Sequence, residues 1–178
     1  ELRLSMPEVS VSITALEQPP NLNREPFDLS IFLEQHPISA GGIRVCPDII
    51  LPVCSPSVAS RLKRPTDLAV AMFLHDTSWA KDWRIWLDKA LPGHKLDVTG
   101  PQFSLYSLAV EEAKNGAGIL IGHEFLLQEQ LENGELVAPF SQAVELEQSL
   151  VIRSARPVAS GSALHRVIRH LAGEVSVG

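Results

Sequence analysis

An open α/β sheet is the fold this sequence predicts, on three observations. The run from Phe103 to Gly122, FSLYSLAVEEAKNGAGILIG, holds a helix, a helix stop and a strand in succession. Strand-like and helix-like segments alternate through the middle of the chain. The totals also permit a sizeable buried core, with 178 residues, 45% of them hydrophobic, and a mean hydropathy of +0.09. One domain or two small lobes is the expectation. In such sheets ligands sit outside the carboxyl ends of the strands, at the loops that begin the next helix.

Taken in order, Glu8 to Thr14 sets Val9, Val11 and Ile13 against Ser10, Ser12 and Thr14, the period-two pattern of a half-buried strand. A Pro-Asn loop at 19–23 separates it from a second strand, Phe27 to Leu33, and a more uniformly apolar third follows at Cys46 to Val53. Ser55-Pro56 is a cap with proline at the first helical position, predicting a helix to about Leu62. Val70 to Leu74 is strand-like, after which Thr77 or Ser78 caps a helix carrying Trp79, Trp83, Trp86 and Leu87. Lys95 to Val98 is a short strand.

In the next unit Leu105, Leu108, Ala109 and Ala113 repeat at helical spacing. Asn115-Gly116 supplies the left-handed stop, and Ile119 to Ile121 form a buried strand. A helix from about Glu124 to Glu132 stops at Asn133-Gly134. Glu145 to Ile152 is the last strand, and a Ser162 cap opens a final helix with Leu164, Val167, Ile168 and Leu171 on one face.

The formal charge of −6 argues against a surface that tracks nucleic-acid phosphates. The longest apolar runs fall far short of the roughly 20 residues needed to span a bilayer. The first residues carry neither a basic leader nor an apolar signal core, so cytoplasm is the expected compartment and no membrane contact is expected. Cys46 and Cys54 flank Ile49-Ile50-Leu51 without a zinc-ligand partner and read as small hydrophobes. GAGILIG has its glycines ahead of the strand, the reverse of a phosphate-binding loop, and reads as a helix stop. The tryptophan spacing describes the buried stripe of a helix, with Trp79 at its start placed to reach a pocket. The histidines are scattered, with no metal pair on one helical face, and no GxSxG elbow is present. No catalytic residue, metal or cofactor is therefore expected. Polar residues do follow three predicted strands: Thr77 and Ser78, Gln102 and Ser104, and His123. Helix amino termini there suit a carboxylate or another small anion.

Six segments, in order, resemble LysR-type transcriptional regulators of the glycine-cleavage activator and β-lactamase regulator group: Phe27-Asp28-Leu29-Ser30-Ile31, Leu51-Pro52-Val53-Cys54-Ser55-Pro56, Pro65-Thr66-Asp67-Leu68, Trp79 with Asp82-Trp83 and Trp86, Gly116-Ala117-Gly118-Ile119, and Leu136-Val137-Ala138-Pro139-Phe140. The resemblance implies the effector-binding half of such a regulator, with a type 2 periplasmic-binding-protein-like fold. Lobe I would be 1–52 and 146–178 and lobe II 53–145, with a small effector bound between them. It further implies a homodimer or homotetramer, and promoter DNA read through an amino-terminal winged helix-turn-helix outside this sequence.

The family's effector domain normally begins with a strand and helix ahead of the match to Glu1-Leu2-Arg3-Leu4, so the first strand of lobe I is expected to be missing from this sequence. That strand would lie between Val9–Thr14 and Phe27–Leu33. Ser149 stands where close relatives often carry tyrosine. Carried over by position, the expected effector contacts are Thr14, Glu17, Leu33, Glu34, Thr77, Ser78, Phe103, Ser104 and Tyr106. Ser104 and Tyr106 would donate hydrogen bonds and Phe103 would supply apolar wall. Glu17 and Glu34 would engage an amine, pointing to an amino acid or short peptide. The alternatives are an extracytoplasmic solute-binding protein of the same fold and an enzyme on the same scaffold; the latter needs a cluster of charged catalytic residues that the sequence does not offer.

Overall fold

A computed structural model describes residues 2–173. It divides into two compact units, one running to Asp48 and resuming at Glu147, the other formed by Ile49–Leu146. The second unit is a sheet covered on both faces. Its strands are the distal part of β2 (Ile43–Val53), then β3 (Phe73–Asp76), β4 (Gln102–Phe103) and β5 (Ile119–His123). β5 runs antiparallel to β2, pairing Ile50 with His123, whereas β3 is parallel to both β5 and β4. Alternation along β3 and β5 sends Phe73, Ile119 and Ile121 into one core with Ile50, Trp83, Trp86 and Leu87. Leu74 and Leu120 enter the opposite core with Val53, Ala109, Val110 and Ala113. A strand buried on both faces must be apolar throughout, as ILI in β5 is.

The helices follow their local signals. α4 (Tyr106–Lys114) ends at Asn115, and Gly116 takes φ +82, a conformation that costs glycine little and other residues more. α5 spans Glu124–Glu132, as its spacing predicts. α3 (Asp82–Ala90) buries Trp83 and Trp86, whose ring N–H groups donate to the carbonyls of Leu74 and Gln142. The segment Leu136 to Phe140 buries both its end residues, and Val137 exchanges backbone hydrogen bonds with Cys54. Burial also pushes the Cys54 thiol up to about 11.

Several expectations are corrected. Lys95 to Val98 is not a strand: Leu96 and Val98 pack on the core around Trp86, but the backbone ladder with β3 is made later. His75 N–H donates to Pro101 and Thr77 N–H to Phe103. The chain gains that edge by passing close to β3 at Gly100, where a Cβ would lie 1.8 Å from the Phe73 carbonyl oxygen. The helix after Ser55 is a single turn, α2 (Pro56–Ala59), and Arg64 is extended before Pro65, as the residue before proline prefers. Pro65–Val70 is a 3-10 turn tied by the Asp67 carboxylate, which accepts from the Lys63 and Arg64 N–H groups. The strand expected at Val70 therefore begins at Phe73. Helix α3 begins later than Thr77 or Ser78, because Asp76 closes the intervening turn.

In the first unit β1 (Leu29–Gln35) pairs antiparallel with β6 (Val144–Ser154), setting Ile31 opposite Ile152 and Leu33 opposite Leu150. β6 lies beside β2. α6 (Ala163–Leu171) buries Val167 and Ile168, and the Ser162 hydroxyl caps it by accepting from His165 N–H. α1 is the short turn Leu2–Ser5. Glu8 to Thr14 is not a strand but an irregular segment with Ile13 exposed. Alternation stabilises a strand only when a neighbouring edge takes up its N–H and C=O groups, and among the described residues no ladder includes this segment.

Candidate functional site

Because β3, β4 and β5 are parallel, their carboxyl ends open onto one edge of the second unit. Asp76, Phe103 and His123 end these strands, and α4 and α5 begin beyond the latter two. Thr77, Ser78, Phe103, Ser104 and Tyr106 of the expected contacts come together there. Thr77 is joined to Phe103 through the backbone at 3.0 Å. Thr77, Ser78 and Ser104 are exposed, and Phe103 and Tyr106 are half-buried.

Behind these residues is a buried polar and aromatic network. His123, fully buried, bonds through Nε2 to Asp82 Oδ2 at 2.9 Å. The Trp79 ring lies over His123, with centroids 4.0 Å apart, and meets Tyr106 edge-on at 4.8 Å. The Tyr106 hydroxyl accepts from His123 N–H at 3.0 Å and donates to the Ile121 carbonyl at 3.4 Å. It thus ties α4 to the end of β5, while the ring forms part of the edge. Asp76 Oδ1 accepts from the N–H groups of Ser78 and Trp79 at 2.8 and 3.2 Å, an Asx turn that shapes the loop.

Sequence reasoning missed Asp76 and Asp82. Asp76 closes β3 two residues before Ser78, a spacing that signals an Asx turn, whereas the Asp82–His123 pair joins residues far apart in sequence and left no local trace. Trp79 reaches the edge as its position suggested.

Thr14, Glu17, Leu33 and Glu34 belong to the first unit. Thr14 and Glu17 are exposed on the irregular segment, and Leu33 is half-buried in β1. Glu34 is held by Arg153 in a two-pronged ion pair, 2.5 Å from Nε and 2.7 Å from Nη2. Hydrogen bonding to this guanidinium holds the Glu34 carboxyl below its ordinary range. Ser149, buried beside it in β6, meets Arg44 Nε at 2.9 Å and His36 Nε2 at 2.8 Å. No group of three or more potential metal ligands occurs among the described residues.

Parallel strands delivering polar loops and helix starts to one edge define an α/β ligand-binding unit. The comparisons make the class specific. Residues 1–175 match the LysR substrate binding domain, and the chain belongs to that family. It is 30% identical over 144 residues to the glycine cleavage system transcriptional activator of Escherichia coli K12, covering 78% of this chain and 46% of that protein. With the HTH-type transcriptional activator AmpR of Rhodobacter capsulatus it shares 28% identity over 180 residues, 97% of this chain and 59% of the relative. The chain thus spans about half the length of these relatives. The effector domain of AmpR from Pseudomonas aeruginosa superposes with a TM-score of 0.73 at 18% identity, over 97% of this chain and 83% of that one. The fold is accordingly the type 2 periplasmic-binding-protein-like fold of LysR effector domains. No helix among the described residues is long and apolar enough to cross a membrane.

Proposed function

We propose that this chain is the ligand-sensing regulatory domain of a bacterial LysR-type transcription regulator, and that a small polar effector binds at the strand-end edge of the second unit. The observation that carries the reading is the convergence of Thr77, Ser78, Phe103, Ser104 and Tyr106 on that edge in a chain of this family. Exposed hydroxyls beside helix starts offer hydrogen-bond donors, and Phe103 and Trp79 offer apolar wall. Thr14, Glu17, Leu33 and Glu34 complete the proposed contact set; they belong to the proposed lobe 1–52 and 146–178, and 53–145 forms the second proposed lobe.

In the whole regulator the domain acts without catalysis, in the cytoplasm, within a homodimer or homotetramer. Promoter DNA is read by a separate winged helix-turn-helix; the formal charge of −6 argues against DNA binding by this chain itself. A thermal-shift screen of amino acids, short peptides and cell-wall fragments tests the reading. A ligand at a hundred times its dissociation constant should stabilise the chain by about 2.7 kcal/mol. Ser104→Ala should weaken that ligand by about tenfold; affinity unchanged in Ser104→Ala would remove the site from this edge.

A further inference from the structure

We infer that Asp76 is the anchor for a primary ammonium group, so that the effector is a free amine such as an α-amino acid or a peptide amino terminus. The inference rests on the effector-site reading above and names the chemistry that the site selects.

Asp76 is 4% exposed. One carboxylate oxygen, Oδ1, is engaged by two backbone N–H groups, but Oδ2 is buried without a hydrogen-bond partner among the described residues. A buried acceptor with no donor is costly, and more so when it carries charge. Asp76 lines a small cavity of about 10 Å³ with His75, Trp79, Asp82, Trp83 and Tyr106. The Nε2 atom of His75 is likewise buried without a partner.

Three properties of this cavity select an ammonium. First, the described residues that line it include two aspartates and no lysine or arginine, so it attracts a cation and repels an anion. Second, its volume suits a head group the size of one water molecule, which admits –NH3+ and excludes a planar guanidinium. Third, an ammonium brings three donors and no acceptor. Asp76 Oδ2 takes one of them. The aromatic lining of Trp79 and Tyr106 adds cation–π attraction. The two acids first expected to meet an amine are differently placed: Glu34 is neutralised by Arg153, and Glu17 is exposed on the irregular segment.

Calorimetry on the 178-residue chain tests this with glycine, both enantiomers of alanine and serine, and alanyl-alanine, each beside its N-acetyl form. Asp76→Asn is the matching variant, because it keeps Oδ1 as the acceptor for the Ser78 and Trp79 N–H groups while placing a donor where Oδ2 was. The expected result is that a free amine binds and that acetylation weakens it about 30-fold or more. Asp76→Asn should weaken the free amine by a similar factor and leave the acetylated form within about threefold. Equal binding of free and acetylated forms overturns the inference, as does an Asp76→Asn protein that binds the free amine as well as the natural chain. Should the variant fail to fold, the acetylation contrast on the unaltered chain decides alone. If no amine binds but a non-amine from the broader screen does, the ammonium anchor falls and the effector reading stands. If neither screen yields a ligand, both fall.

Discussion

The two units treat their buried and half-buried charges in opposite ways. In the first, charged and polar side chains are matched to one another: Glu34 with Arg153, and Ser149 with His36 and Arg44. In the second, the Asp82–His123 pair is matched but Asp76 keeps one carboxylate oxygen unpartnered beside a cavity. A matched ion pair holds a strand pair together and leaves little for a ligand to gain, whereas an unmatched acceptor lowers stability until something supplies a donor. Polar side chains alone therefore do not mark a binding site, and an unfilled hydrogen-bonding capacity is the better guide.

The contrast can be broken by substitution. The largest effect should come from the doubly covered sheet: Trp86→Ala, at a fully buried residue, is expected to lower stability by about 4 kcal/mol in urea denaturation. Next, Asp82→Ala removes the carboxylate that His123 Nε2 meets in a buried site and should cost about 2 kcal/mol. A loss below about 1 kcal/mol there would mean that the pair is less desolvated than its burial indicates.

Glu34→Gln, in the partly exposed pair of the first unit, should cost only about 1 kcal/mol near neutral pH. Its pH dependence sharpens the point. The folded carboxyl titrates below its ordinary value of 4.5, so the unfolded chain binds the proton more readily. The stabilisation is fully present above that value and is lost as pH falls through the lowered folded one. Stability measured from pH 6 downward should fall more gently in Glu34→Gln than in the unaltered chain; parallel profiles would show that Arg153 does not lower this carboxyl. Smallest of all, Thr14→Ala and Glu17→Ala should each change stability by less than about 0.5 kcal/mol, being exposed and outside any strand.

Where information was local, the sequence was legible. Asn115-Gly116 and Asn133-Gly134 stop α4 and α5 at the expected residues, and Ser162 caps α6. Trp83 and Trp86 are core, and Trp79 reaches the edge. Where the outcome depends on a neighbouring strand, periodicity misled. Val9–Thr14 alternates as well as any strand in the chain yet has no ladder, and Leu96 and Val98 are partly buried while Gln102–Phe103 takes the pairing. The edge of the second unit could be inferred from polar residues after strands, a pattern of order along the chain. Asp76 could not be singled out that way, because what sets it apart is a carboxylate oxygen that is buried without a hydrogen-bond partner among the described residues.

The division between the units has a further consequence. It falls between Asp48 and Ile49, inside β2, and between Leu146 and Glu147, inside β6. Neither unit is a module that a gene could exchange by joining ends in loops, since excising Ile49–Leu146 would cut two eleven-residue strands in mid-course. A protease should find the divisions inaccessible, because the hydrogen-bonded backbone there does not fit a protease groove as a loop does.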